Sequence, residues 1–181
     1  MSRIHSHHPA AVQLCTKKIA HALNQFSRQK IICVCIGTDR STGDALGPLV
    51  GTMLQKQPLS GVHVFGTLDD PVHALNLEST MEHITQHHQH AIILAIDACL
   101  GTSKNVGTIQ IGLGPIKPGA GVNKDLPEIG HLHITGIVNV SGFMEYFVLQ
   151  NTRLSLVVRM AEIISASLLT AFQQQKQKQI L

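Results

Sequence analysis

Aromatic residues are scarce in this sequence. The 181 residues include no Trp, one Tyr and five Phe, an aromatic share of 3%. The hydrophobic fraction is nevertheless 44%, so the core must be built from Ile, Leu, Val and Ala, as in tightly packed α/β layers. A chain of this length is expected to form a single domain over residues 1–181, with frayed ends at 1–8 and 174–181.

Segments that would mark secretion or membrane insertion are also missing. The first residues, MSRIHSHHPAA, contain no apolar signal segment, and no uncharged run reaches the roughly 18 residues expected of a membrane span. The formal net charge is +3, and the basic residues are scattered rather than arranged in a stripe. We therefore expect a cytoplasmic protein that binds neither nucleic acid nor membrane.

Several common catalytic motifs are absent. The sequence has no GxGxxG, no GxxxxGK[ST] and no GxSxG before a helix, which disfavours dinucleotide, P-loop and serine-hydrolase chemistry. The four cysteines include no CxxC and are expected to be buried, reduced thiols. Cys99 lies near the end of a predicted strand, but no His is placed by sequence to activate it as a nucleophile.

The chain is organised around residues 31–50. Six apolar, mostly β-branched residues, Ile31 to Ile36, run without polar interruption, which is typical of a strand buried on both faces of a parallel sheet. A polar loop, Thr38–Gly43, follows. Apolar residues then recur at helical spacing: Leu46, Leu49, Val50, Met53 and Leu54. The loop is therefore predicted to lie at the sheet edge where α/β proteins bind ligands.

The rest of the chain alternates between predicted strands and helices. A second buried strand, Ala91 to Gly101, carries Asp97 at the end of its apolar run. Further strands are predicted at Val62–Gly66, Val106–Gly112 and His131–Val140, and helices over about 10–28, around 77–84 and from Ser141 onward. Strand 106–112 is expected to be antiparallel because only a short turn precedes it. We predict an α/β fold, a three-layer α/β/α sandwich whose mostly parallel sheet includes an antiparallel hairpin.

Two carboxylates are expected to meet at one edge of this sheet. Asp44 begins the helix after the first buried strand, and Asp97 ends another strand that should lie beside it, with Asp39 and the pair Asp69-Asp70 nearby. Two carboxyl groups in contact share a proton, so one can activate water while the other donates to a substrate carbonyl. Other interpretations stay open: Asp44 as a helix cap, Asp97 bonded to loop amides, or a divalent ion held by both.

The segment from Pro115 to Gly130 is long for a loop and would lie near the same edge. Gly119 and Gly121 allow a close approach of the backbone to a bound peptide. Lys117 or Lys124 would stabilise negative charge that develops during a reaction. We expect Lys117, Gly119 and Gly121, together with Asp39, to bind substrate, and a flap without a role is the alternative.

Three motifs carry a resemblance to known proteins. GDALGP at 43–48, IDACLG at 96–101 and KPGAGV at 117–122 resemble segments of the spore germination protease in the same order. Over roughly residues 9–172 the chain resembles more closely the sporulation protein YyaC family of spore peptidases. These proteins are related to the hydrogenase maturation proteases, which implies a phosphorylase/hydrolase-like α/β sheet.

The resemblance implies that Asp44 and Asp97 are catalytic. It implies an aspartate-dependent endopeptidase of the sporulating cell or spore, whose substrate is a protein or peptide such as a spore protein. No cofactor and no metal is expected, and a homo-oligomer is left open. Two alternatives remain, namely a non-catalytic sporulation protein that binds a peptide or protein at the same cleft, and a metal-dependent processing peptidase.

Overall fold

The fold is a mixed sheet flanked by helices, seen in a computed structural model that describes residues 3–26, 29–118 and 126–180. The strands are β1 Arg3–His5, β2 Ile31–Cys35, β3 Val62–Phe65, β4 Ile92–Gly101, β5 Thr108–Leu113 and β6 Leu132–Val140. The helices are α1 Ala11–Leu23, α2 Leu46–Gln55, α3 Leu77–His87, α4 Glu145–Gln150 and α5 Leu154–Ile180. The predicted α/β class is thereby confirmed.

The order of strands in the sheet is β1-β5-β6-β4-β2-β3. β3, β2, β4 and β6 run parallel to one another, and β5 is antiparallel to both β6 and β1. The antiparallel direction predicted for β5 is confirmed. Its partners, however, are β6 and β1 rather than the preceding strand, because β6 lies between β4 and β5. β2 and β4 are neighbours, as the sequence predicts.

Both ends of the chain have more regular structure than expected. Arg3–His5, within the segment predicted to be frayed, pairs with residues 108–110 of β5 and so covers what would be an open edge of the sheet. At the other end, helix α5 continues to Ile180. Residues 3–5 and 174–180, within the ends predicted to be frayed, therefore belong to regular secondary structure.

The core has one apolar layer on each face of the sheet. Every residue of β2 is buried. Ile31, Cys33 and Cys35 pack in the layer that includes α1, α2 and α5, whereas Ile32 and Val34 pack in the layer that includes α3. The uninterrupted apolar run of this strand is explained by the three-layer arrangement, since neither of its faces meets water.

Helix α5 is long and apolar enough to cross a membrane, by length and composition only. Its window Leu154–Lys178 has a mean hydropathy of 1.6, and half of the window is buried inside the protein. Ala161, Ile164 and Leu168 are buried in the same layer as residues of α1 and α2. The apolar character of α5 is therefore that expected of a core helix.

Two glycines allow α2 to pack directly on the sheet. A Cβ at Gly47 would collide with the carbonyl oxygen of Ile36, and a Cβ at Gly51 would collide with that of Gly66. Gly47 and Gly51 are four residues apart, so they lie on the same face of the helix. This close contact fixes the start of α2, and with it Asp44, against the end of β2.

We expect Gly47→Ala or Gly51→Ala to destabilise the protein by about 1–3 kcal/mol or more, because backbone atoms cannot move aside as a side chain can. The measurement is the urea midpoint of unfolding. Gly101→Ala is the matched control, because a Cβ there would meet the end of the Ile137 side chain, with Cγ2 at 2.9 Å. Equal losses in all three variants would contradict the proposed role of the close helix packing.

Candidate active site

A cavity of about 450 Å³ opens at the carboxyl ends of β2 and β4. Asp44 and Asp97 both line it, together with the ends of the two strands and the loop that follows β3. The titratable and charged side chains in its wall are Asp39, Arg40, Asp44, Asp69, His73, Asp97, Cys99 and Tyr146. The cavity therefore combines several carboxyl groups with an imidazole, a guanidinium, a thiol and a phenol.

Asp97 occupies the position in β4 where β2 stops. The last residue of β2, Cys35, pairs with Ile96, so Asp97 is the first residue of β4 without a partner in β2. The strand continues past Asp97 to Gly101, the last residue of the predicted strand, because β6 still pairs with it. The side chain is only 6% exposed, and its Oδ1 accepts a hydrogen bond from the Ala98 N–H at 2.8 Å.

Asp44 lies in a short 3-10 turn, Gly43–Ala45, that leads into α2. Its backbone carbonyl accepts a hydrogen bond from the Thr38 N–H at 3.2 Å, which closes the loop after β2. No side-chain capping hydrogen bond is formed at the start of this turn or of α2. Burial raises the pKa of the Asp44 carboxyl, while the charge of His73 and a hydrogen bond from the Thr38 backbone act in the opposite direction.

Because the folded-state pKa of Asp44 is raised, its ionisation costs stability as the pH rises. We expect Asp44→Asn to be more stable than the wild type at pH 7. This difference in stability should shrink as the pH is lowered towards about 3.9, the pKa of an aspartate in the unfolded chain. Urea unfolding at several pH values measures the difference. Asp70→Asn, at an exposed position, is the control. A gain for Asp44→Asn that does not vary with pH would contradict the assignment.

The structure places the other predicted residues in different surroundings. Asp39 lies in the cavity wall, where its Oδ1 accepts a hydrogen bond of 3.4 Å from the Thr38 hydroxyl. Of the predicted acidic pair after β3, Asp69 lines the cavity, whereas Asp70 is not among the described residues of its wall. Lys117 is exposed and is likewise not among them. Gly119, Gly121 and Lys124 lie outside the described residues.

Residues that sequence reasoning did not select also line the cavity. His73 comes from the loop after β3, and Tyr146 comes from α4. His73 lies in the polar segment that follows a strand, so its position after Asp69-Asp70 is a signal that could have identified it. Tyr146 carries no such signal, because only the long-range packing of α4 brings it to the cavity. His131 and His133 are not in this wall, and they bond the backbone of Ile93 and Gly114.

Cys99 lines the cavity but is not activated. Burial raises the pKa of its thiol to about 11, and Asp97 acts in the same direction whenever it is ionised, against a weaker effect of a hydrogen bond with Thr135. The thiolate is the reactive form of cysteine, so a raised pKa suppresses nucleophilic chemistry at neutral pH. This environment favours the carboxyl groups over the thiol as the reactive groups of the cavity.

We expect Cys99 to react slowly with iodoacetamide in the folded protein at pH 8, since only about one thiol in a thousand is ionised three units below its pKa. Mass spectrometry of the native and the urea-unfolded protein measures the labelling rate at this residue. We expect labelling to be at least tenfold faster after unfolding. Rapid labelling of native Cys99 would contradict the raised pKa.

The grouping of ligands does not indicate a metal centre in the part of the chain that the structure describes. Over residues 3–26, 29–118 and 126–180, no three or more His, Cys, Asp and Glu side chains are grouped so that they could hold a metal ion.

Comparisons with known proteins cover almost the whole chain. The profile of a family described as "Protein of unknown function (DUF1256)" matches residues 3–167. "Uncharacterized protein YyaC" from Bacillus subtilis (strain 168) is 56% identical over 164 residues, which make up 91% of this chain and 80% of that protein. The segment matched by the family profile contains every residue of the cavity wall named above.

Proposed function

We propose that this chain, which belongs to the DUF1256 family, is a peptidase that uses Asp44 and Asp97 to activate water for hydrolysis of a peptide bond. The observation that supports the proposal is that two carboxyl groups 53 positions apart in the chain line one cavity at the ends of adjacent parallel strands. We further propose that it acts in sporulation, in the cytoplasm of the sporulating cell or in the spore, on a protein or peptide substrate.

In the proposed mechanism the two aspartates have different roles. Asp44 is assigned as the base, because the charge of His73 and a hydrogen bond from the Thr38 backbone favour its charged form against the burial that raises its pKa. Asp97 is the acid, because it is the more deeply buried of the two and burial disfavours charge. The two roles require different protonation states, because the base must be ionised and the acid must carry a proton.

The reaction proceeds through a tetrahedral intermediate. The ionised Asp44 takes a proton from water while the water oxygen attacks the peptide carbonyl carbon, and Asp97 donates its proton to the carbonyl oxygen. When the C–N bond breaks, Asp44 donates the proton it has taken to the leaving amine. The proton on the former carbonyl oxygen returns to Asp97, so both carboxyl groups regain their starting states.

The rim of the cavity supports a polypeptide as the substrate. Leu75 and Tyr146 line the cavity yet are 79% and 62% exposed. Phe143, Met144 and Phe147, on α4 or just before it, are also at least half exposed. Exposed apolar side chains that lie together mark interaction surfaces, and here two of them, Leu75 and Tyr146, line the same cavity as the carboxyl groups. An extended peptide would place apolar side chains on this rim while its backbone enters the cavity.

We expect Asp97→Asn and Asp44→Asn each to reduce cleavage of an unfolded protein such as fluorescently labelled casein by about 10²–10⁴-fold, the usual contribution of a general acid or base. The initial rate of fluorescence release measures the activity, and thermal unfolding shows that the variants are folded. Asp70→Asn is the matched control, since this exposed carboxylate follows the same strand as Asp69 outside the described cavity wall.

Cleavage by Asp97→Asn at the wild-type rate would reject the role of this residue. Binding of the unfolded protein without any cleavage would favour a non-catalytic peptide-binding protein. Cleavage that EDTA abolishes and a divalent ion restores would favour a metal-dependent peptidase. The same samples and the same substrate therefore separate the three candidate functions.

A further inference from the structure

His73 is held in a fixed orientation by its own turn. Its Nδ1 accepts a hydrogen bond from the Leu75 N–H at 3.2 Å. Its backbone N–H donates to Oδ1 of Asn76 at 2.8 Å, and Nδ2 of Asn76 donates to the Pro71 carbonyl at 3.0 Å. Because the carbonyl of His73 also accepts from Leu77 at the start of α3, the segment is bonded on both sides of the imidazole.

These bonds determine which ring nitrogen can act in the cavity. Since Nδ1 accepts from Leu75, the neutral ring carries its proton on Nε2. In the described part of the chain, Nε2 makes no hydrogen bond with protein, and His73 lines the same cavity as Asp44. The ring therefore offers a donor in its neutral form and a positive charge in its protonated form, and either one favours a nearby carboxylate.

We propose that His73 is a positioning residue of this cavity, which acts through Asp44 by holding its carboxyl group in the charged form that the base requires. The proposal rests on the proposed peptidase function for its chemical consequence. Its geometric basis is that the two side chains line one cavity and that the ring of His73 is fixed there by its own turn. The charge of His73 acts to lower the pKa of Asp44, which is the direction expected when an imidazole favours the charged carboxylate.

Other charged and titratable groups face the same space. They are Asp39, Arg40, Asp69, Asp97, Cys99 and Tyr146. All of them are present both in the wild type and in a variant of His73. A comparison of the two proteins therefore isolates the contribution of the imidazole.

The decisive variant is His73→Asn. Its side-chain oxygen can accept the Leu75 N–H in an Asx-turn, so the local turn is kept while the imidazole is removed. His8→Asn is the matched control, because Nδ1 of His8 makes the same bond to the N–H two residues ahead, at 3.1 Å to Ala10, and His8 is not in the described cavity wall. The two substitutions alter the same local motif at different places.

The carboxyl signal of Asp44 provides a readout that does not need activity. The chain has six aspartates, so selective ¹³C labelling of their carboxyl carbons gives few NMR signals, and Asp44→Asn identifies the one required. We expect His73→Asn to move the titration midpoint of Asp44 to higher pH and His8→Asn to leave it unchanged. We expect the acid limb of kcat/KM to move with it.

His73→Lys adds a test of charge. A lysine keeps the positive charge but not the ring, so we expect the Asp44 midpoint to stay nearer the wild-type value than in His73→Asn. An upward shift of the same size in both variants, or none in His73→Asn, would overturn the proposal. A wild-type protein without peptidase activity would overturn the proposed function alone, since the titration still decides whether His73 and Asp44 are paired.

Discussion

The site depends on the different lengths of two neighbouring parallel strands. β2 ends at Cys35 opposite Ile96, while β4 continues to Gly101 because β6 supports its other side. The chain after β2 stays close to β4 for one more residue, as Ile36 donates a hydrogen bond to the carbonyl of Ile96 at 2.7 Å. Beyond Ile36 the chain separates from β4, and the space between them is the cavity that Asp97 lines. The register of β2 on β4 thus leaves Asp97 buried but without a partner in β2.

Close packing of α2 completes this arrangement. Gly47 brings the helix against the carbonyl of Ile36, and Gly51 brings it against that of Gly66. The loop between β2 and α2 is closed by the hydrogen bond from the Thr38 N–H to the Asp44 carbonyl. The contacts that hold α2 to the sheet also hold the Asp44 carboxyl group in a buried position. Because ionisation of Asp44 there costs free energy, the same contacts affect both the stability of the fold and the proposed site.

Sequence patterns predict the parts of this site that depend on local signals. The apolar runs that begin at Ile31 and Ile92 identify two buried strands, and the parallel arrangement brings Asp44 and Asp97 to one edge. The pairing of β5 could not be predicted in the same way, because a short turn says nothing about a later strand inserting between two earlier ones. The position of Tyr146 in the cavity wall depends on the packing of α4, which no local sequence pattern predicts.

Burial in the cavity wall has opposite consequences for the carboxyl group of Asp44 and the thiol of Cys99. Burial raises the pKa of both Asp44 and Cys99. An aspartate titrates far below neutral pH in water, so raising its pKa brings proton exchange closer to physiological pH, where it serves acid–base chemistry. A cysteine titrates above neutral pH, so the same change, to about 11 for Cys99, removes the thiolate that nucleophilic catalysis needs. One environment thus favours carboxyl chemistry and suppresses thiol chemistry, and a group such as His73 that restores charge to Asp44 would set the balance between its two protonation states.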